Sequence, residues 1–229
     1  MKTWSVKFLE NIEISKFIFQ SNANSMLSIF SDIENVREIK ITEFENQIKA
    51  WSNENSIGVR EIWNELADEH FDHYNHYKNH INYMVLNSLF ISTFSLFENH
   101  LNRIAELAYE ELKPSIKIVD IKGNGELDTC RKYLNIVCNV KSANSDFHKW
   151  QEIIQYKAIR NSIVHNGSVL NRAEKENLEK IPGYPLIKKY NMWHTPKVVY
   201  FRINQVNFLE DFIKLSIDYS INIVYELTH

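Results

Sequence analysis

One run of apolar side chains restricts what this chain can become. Leu86, Phe90, Phe94, Phe97, Leu101, Ile104 and Ala108 recur in steps of four and three. An α-helix turns about 100° per residue, so this spacing stacks the side chains into one seam. A near seven-residue recurrence packs along neighbouring helices at a shallow angle, as in a bundle. A strand would need alternation in twos. The segment Val206 to Leu227 repeats the device with Phe208, Phe212, Leu215, Tyr219, Ile223 and Leu227. Only five glycines and four prolines punctuate 229 residues, too few turn formers for a sandwich or barrel. The fold class is therefore all-α: an antiparallel up-and-down helical bundle with a small β-hairpin insertion near residues 186–203. Hydrophobic content of 44%, with 13% aromatic, is enough to fill a core at this length.

Residues 1 to about 22 fit short strands as well as helix. From Ala23 to about Trp51, Met26, Ile29, Phe30, Ile33, Val36 and Ile39 follow an amphipathic pattern, with Ile39-Lys-Ile-Thr a candidate interruption. Asn53 to Gly58 reads as a turn. A long helical stretch follows from about Val59 to Leu112, with a break near His80, and Pro114 ends it. Residues 1–55 are expected as an N-terminal extension packed on a helical domain spanning 56–229. Lys122 to Gly125 is a loop and Glu126 to Val140 a shorter helix. Asn144 to Asp146 can cap a helix from about Phe147 to Asn166, closed by Gly167 in a left-handed C-terminal cap. After the charged segment 171–180 and a Pro-Gly loop, Val198 to Ile203 reads as a strand, with Leu186 to Tyr190 as its hairpin partner.

The helix ending at Gly167 carries an unusual load. Lys157, Asn161 and His165 form an i, i+4, i+8 row with Arg160 flanking it, among apolar Trp150, Ile153, Ile154, Ala158 and Val164. A second apolar strip, Ile159 and Ile163 beside Tyr156, lies roughly opposite. Cations and amides set among apolar neighbours need partners, either in a structural network or in an active site.

Arg160, Asn161 and His165, read as Arg-Asn-x-x-x-His, resemble the Arg-x4-His signature of the HEPN superfamily, helical proteins that include many metal-independent endoribonucleases. The segment Phe94 to Ile104 resembles the earlier HEPN helix that offers an acidic residue to the motif Arg, a position Glu98 matches. The likeness covers roughly residues 80–228. It implies catalytic roles for Arg160, Asn161, His165 and Glu98, with no cofactor and no metal. His165 would carry protons, Arg160 would fork onto phosphate, and Asn161 would hold phosphate or fix the His165 tautomer. Glu98 would orient Arg160. Lys157 and Asn166 are expected against RNA, although the family motif does not include Lys157. The resemblance also implies a homodimer with a composite active site, and a place in phage defence or a toxin–antitoxin system with an antitoxin or defence partner. Toxins of this superfamily silenced through a Tyr two residues after the His have no counterpart here, since that position is Gly167. The rival expectation is a non-catalytic HEPN module that binds RNA or nucleotide, or dimerises as an interaction platform.

A net charge of −3 gives no global attraction to nucleic acid, so RNA contact must be local. Glu69, His73, His76 and His80 fall on one helical face, which suits zinc or, more simply, an aromatic–histidine surface interleaved with Tyr74 and Tyr77. Cys130 and Cys138 lack zinc or redox spacing and are expected as buried thiols. Ser162 and Ser168 lack the glycines of a nucleophile elbow. The first ten residues have no apolar signal core, and no stretch is long enough to span a bilayer, so a soluble cytoplasmic protein is expected.

Overall fold

The computed structural model describes residues 4–55, 58, 59, 61, 71–170, 178–194 and 199–229, and these are mostly helical. The first helix, α1, runs unbroken from Val6 to Asn55. No glycine or proline occurs before Gly58, so nothing in the backbone stops it. It takes in residues 6–22 of the ambiguous first segment and the suspected interruption at Ile39. Ser5 caps its start: the Phe8 N–H donates to Ser5 Oγ at 3.2 Å, while the Ser5 N–H and hydroxyl donate to the Glu111 carboxylate at 2.7 and 2.8 Å. The Trp4 ring stacks on Phe8. Phe8, Ile12, Phe19, Ala23 and Phe30 bury one stripe of α1 against the rest of the core.

A short helix, α2 (Phe71–Asn75), leads through a π-helical turn at His76–His80 into α3 (Ile81–Leu112). The π turn inserts an extra residue at the place where the sequence suggested a break. Between α1 and this stretch, residues 62–70, including Glu69, lie outside the described set. Helices α4 (Glu126–Ile136) and α5 (His148–Asn166) follow. The expected strand at Leu186–Tyr190 is corrected: Tyr184–Lys189 form a helix, α6, with Pro185 in its first turn. Proline has no N–H to lose there and a preset φ, which starts a helix well. Strands β1 (Trp193–His194) and β2 (Phe201–Arg202) pair antiparallel over two residues each. The last helix, α7, spans Val206–Thr228.

The centre is aromatic. Phe90, Phe94 and Phe97 of α3 meet Phe208, Phe212 and Tyr219 of α7 and Tyr156 of α5, with Phe94 stacked on Phe212 at 5.2 Å and Tyr156 5.0 Å from Phe212. Tyr156 also closes a polar chain, its hydroxyl 2.9 Å from that of Tyr190, which donates to Asp211 at 2.5 Å. Gly183 turns the chain under α5 at φ +93°, where a Cβ would come within 3.1 Å of Ile159 and Leu170.

His100 is where α1 and α3 meet. It is 5% exposed, stacks on Phe19 at 4.6 Å, and its Nδ1 lies 3.1 Å from Ser15 Oγ. Burial pushes its pKa down from 6.5 to about 4. The folded chain then holds His100 neutral while the unfolded chain takes up a proton. The stability this provides is complete above 6.5 and lost as pH falls to about 4, a difference of roughly 3 kcal/mol. Urea unfolding across that range should show the loss in the wild type and a smaller one in His100→Gln. Equal losses in both would remove His100 from the account.

Candidate active site

Helix α5 starts at His148, with Phe147 in extended backbone as its N-cap; no side chain caps it, and Asn144 Oδ1 accepts the Asp146 N–H at 2.9 Å in the turn before it. It ends at Gly167, left-handed at φ +58°, with the Ser168 N–H returning to the Ser162 carbonyl at 2.9 Å. Its buried residues are Trp150, Ile153, Tyr156, Ile159 and Ser162, each three after the last. Three residues fall short of a full turn, so this buried line winds around the helix as it rises. Two separate apolar faces were the sequence expectation; one winding face is the finding. By the last turn the side carrying the polar row is uncovered: Val164 is 44% exposed, and His165 and Asn166 are exposed.

Glu98, Arg160 and Asn161 come together. Arg160 Nη2 is 3.6 Å from Glu98 Oε2, each side chain 23% exposed, and Arg160 Nη1 donates to Asn161 Oδ1 at 3.1 Å. The guanidinium carbon stands 6.0 Å from the Phe94 ring, while Nε is buried without a hydrogen-bond partner. Burial, opposed by the charges of Arg160 and Lys157, holds the Glu98 carboxyl above the ordinary carboxylate range, with Glu126 adding to the rise. Lys157 is drawn elsewhere: its Nζ donates to the Asn124 carbonyl at 2.8 Å. It thereby anchors the loop before α4, where Gly125 sits at φ +88°. The loop was legible as a loop, but its contact with the motif helix was not, because no periodicity joins residues 33 apart. His165 stands more than a turn beyond Arg160, at the open end of the helix.

The arrangement sets a partly buried guanidinium, held by a carboxylate and an amide, on the same helix as an exposed imidazole more than a turn further on. Such a set can bind a phosphate and move a proton without a metal. Because Glu98 is only partly buried, its pairing is worth about 1 kcal/mol rather than the cost of a sealed charge. Glu98→Gln should therefore change stability at neutral pH by less than about 1 kcal/mol. Its raised pKa sets the sign of the pH dependence. The wild type gains on the variant as pH falls through the window from the unfolded carboxylate value to the higher folded one. Urea unfolding that shows no relative gain would place Glu98 in solvent.

The histidine row does not assemble into a metal centre among the described residues: no group of three His, Cys, Asp or Glu there can hold an ion. His76 and His80 lie on the π turn with ring centroids 6.3 Å apart. Cys130 and Cys138 are buried, and burial first, then Glu126 and Glu106, pushes the Cys130 thiol up to about 12.

Comparison of the chain with protein-family models, curated proteins and solved structures finds no match. The functional reading therefore rests on the residues themselves. Among the described residues no helix is long and apolar enough to cross a membrane.

Proposed function

We propose that this chain is a metal-independent endoribonuclease of HEPN type, its helices arranged as an antiparallel up-and-down bundle with a small hairpin. The observation that carries the reading is the contact of Glu98 and Asn161 with Arg160, on a helix whose exposed last turn carries His165. In this reading Arg160 holds non-bridging phosphate oxygens while the RNA 2′-OH attacks the adjacent phosphorus. His165 accepts the 2′ proton or returns one to the leaving 5′ oxygen, and Asn161 steadies the phosphate. Glu98 keeps the guanidinium in place. With His165 at an uncovered helix end, a second protomer supplies the rest of the cleft, so the working unit is a homodimer with two motifs facing each other. Lys157 contributes charge behind the Asn124 carbonyl, and Asn166 lies at the mouth. A cytoplasmic role in phage defence or a toxin–antitoxin pair, with a protein partner restraining the cleft, fits such an activity.

The test is purified protein with total RNA in the presence of EDTA, with product ends mapped. Cleavage that persists in chelator and leaves 2′,3′-cyclic phosphates is the expected result. RNA bound without being cut would reassign the chain to a non-catalytic HEPN-like binding module. Activity lost in EDTA and restored by a divalent ion would overturn the metal-independent mechanism.

A further inference from the structure

Helix α3 meets different partners on two of its sides. Glu98 and His100 are two residues apart, about 200° around the helix, so the carboxylate that meets Arg160 and the imidazole that meets α1 face opposite ways. On the His100 side, α1 and α3 line an open cleft of about 300 Å³. That is at the lower end of the size range typical of small-molecule sites. His100 lines it and is 5% exposed, with Nδ1 engaged by Ser15 and Nε2 lacking any hydrogen-bond partner. A buried ring nitrogen left unpaired is costly, and a bound group that reaches it removes the cost.

The rest of the lining narrows the ligand. Three carboxamides, Asn11, Asn22 and Asn99, surround the cleft, each offering a donor and an acceptor in one plane. Ile14, Ile18 and Leu96 supply apolar walls, and Ile14 and Ile18 are themselves 56% and 52% exposed, apolar surface that a flat ring would cover. No carboxylate lines the cleft, so a cationic ligand finds no counter-charge. Arg103 stands at its edge, half exposed, with Nη1 3.5 Å from Glu106 and 3.9 Å from Glu110, neither of which lines the cleft. Exposed pairs of this kind are weak, so a phosphate can take the guanidinium from them.

We propose that the cleft between α1 and α3 binds a purine nucleotide, the base between Ile14, Ile18 and Leu96 and the phosphate on Arg103. Asparagine pairs in two-point fashion with an adenine edge, and a purine has two hydrogen-bonding edges where a pyrimidine has one. Three amides and an imidazole suit the base with more edges. Held there, the nucleotide bridges α1 and α3. This site does not depend on the endoribonuclease reading, because none of its residues belongs to the α5 motif.

The experiment is calorimetric titration of the full chain with AMP, GMP and CMP, paralleled by thermal unfolding. AMP or GMP should bind and raise the unfolding midpoint, and CMP should bind about tenfold more weakly or not at all. Asn99 and Asn22 are exposed, so Asn99→Ala and Asn22→Ala fold normally, and each should weaken the purine nucleotide by about tenfold. Arg103→Ala should erase the preference for AMP over adenosine. Absence of purine binding, equal binding of CMP, or purine binding unchanged in Asn99→Ala and Asn22→Ala would each overturn the proposal. Binding lost in Arg160→Ala and kept in Asn99→Ala would move the nucleotide to the α5 motif and likewise overturn it.

Discussion

Replacing His165 by alanine is expected to abolish RNA cleavage while leaving the fold in place. The imidazole lies in the last turn of α5 and is exposed, so its removal opens no cavity. Exposed substitutions of this kind change stability by no more than about 0.5 kcal/mol. The kinetic effect is of another size. A positioned general acid or base contributes about 10²–10⁴ in rate, the size of loss expected if His165 has the proposed role. Gel-resolved cleavage of a defined RNA, measured beside circular dichroism of the variant, gives both quantities. A His165→Ala chain that cuts at the wild-type rate would end the catalytic assignment, whatever became of Arg160.

The largest structural effect is expected at Phe212. Its ring is fully buried on α7, stacked on Phe94 and packed against Phe90, Phe97 and Tyr156. Phe212→Ala removes contacts to two other helices at once and leaves a space that rigid aromatic neighbours cannot fill. The expected loss is about 3–5 kcal/mol, a large part of the stability of a typical domain. Because Phe94 also lies beneath the Arg160 guanidinium, the same change should lower activity at temperatures where the protein remains folded. Urea unfolding giving a loss below about 1 kcal/mol would mean that the aromatic centre repacks freely.

The α3 and α7 seams were legible because large apolar side chains repeat without gaps. Residues 6–22 were not, although they belong to one helix with the next 33. The buried stripe of α1 passes through Ser15, which faces His100, so a polar residue stands where periodicity demands an apolar one. Leu186 to Tyr190 was expected as the hairpin partner of Val198 to Ile203, and Pro185 at the start of a helical turn outweighed that pairing. Glu98 beside Arg160 came from a family resemblance, since no helical spacing relates residues 62 apart. The exposure of His165 was hidden for a different reason. A helical wheel assumes that one side stays covered from end to end, whereas the covered side of α5 rotates along its length.

Helix α1 leaves the ribosome before α3 and α7, yet its buried stripe packs on both of them. At roughly 5–20 residues per second, on the order of 10–40 s separate the appearance of Phe30 from that of Phe212. Throughout that interval Phe8, Ile12, Phe19 and Phe30 have no complete partner surface. The nascent chain therefore presents a long sticky helix before it has a core, which makes it a natural client for holding chaperones. It also follows that synthesis halted before α7 yields an aggregation-prone fragment rather than a smaller working protein.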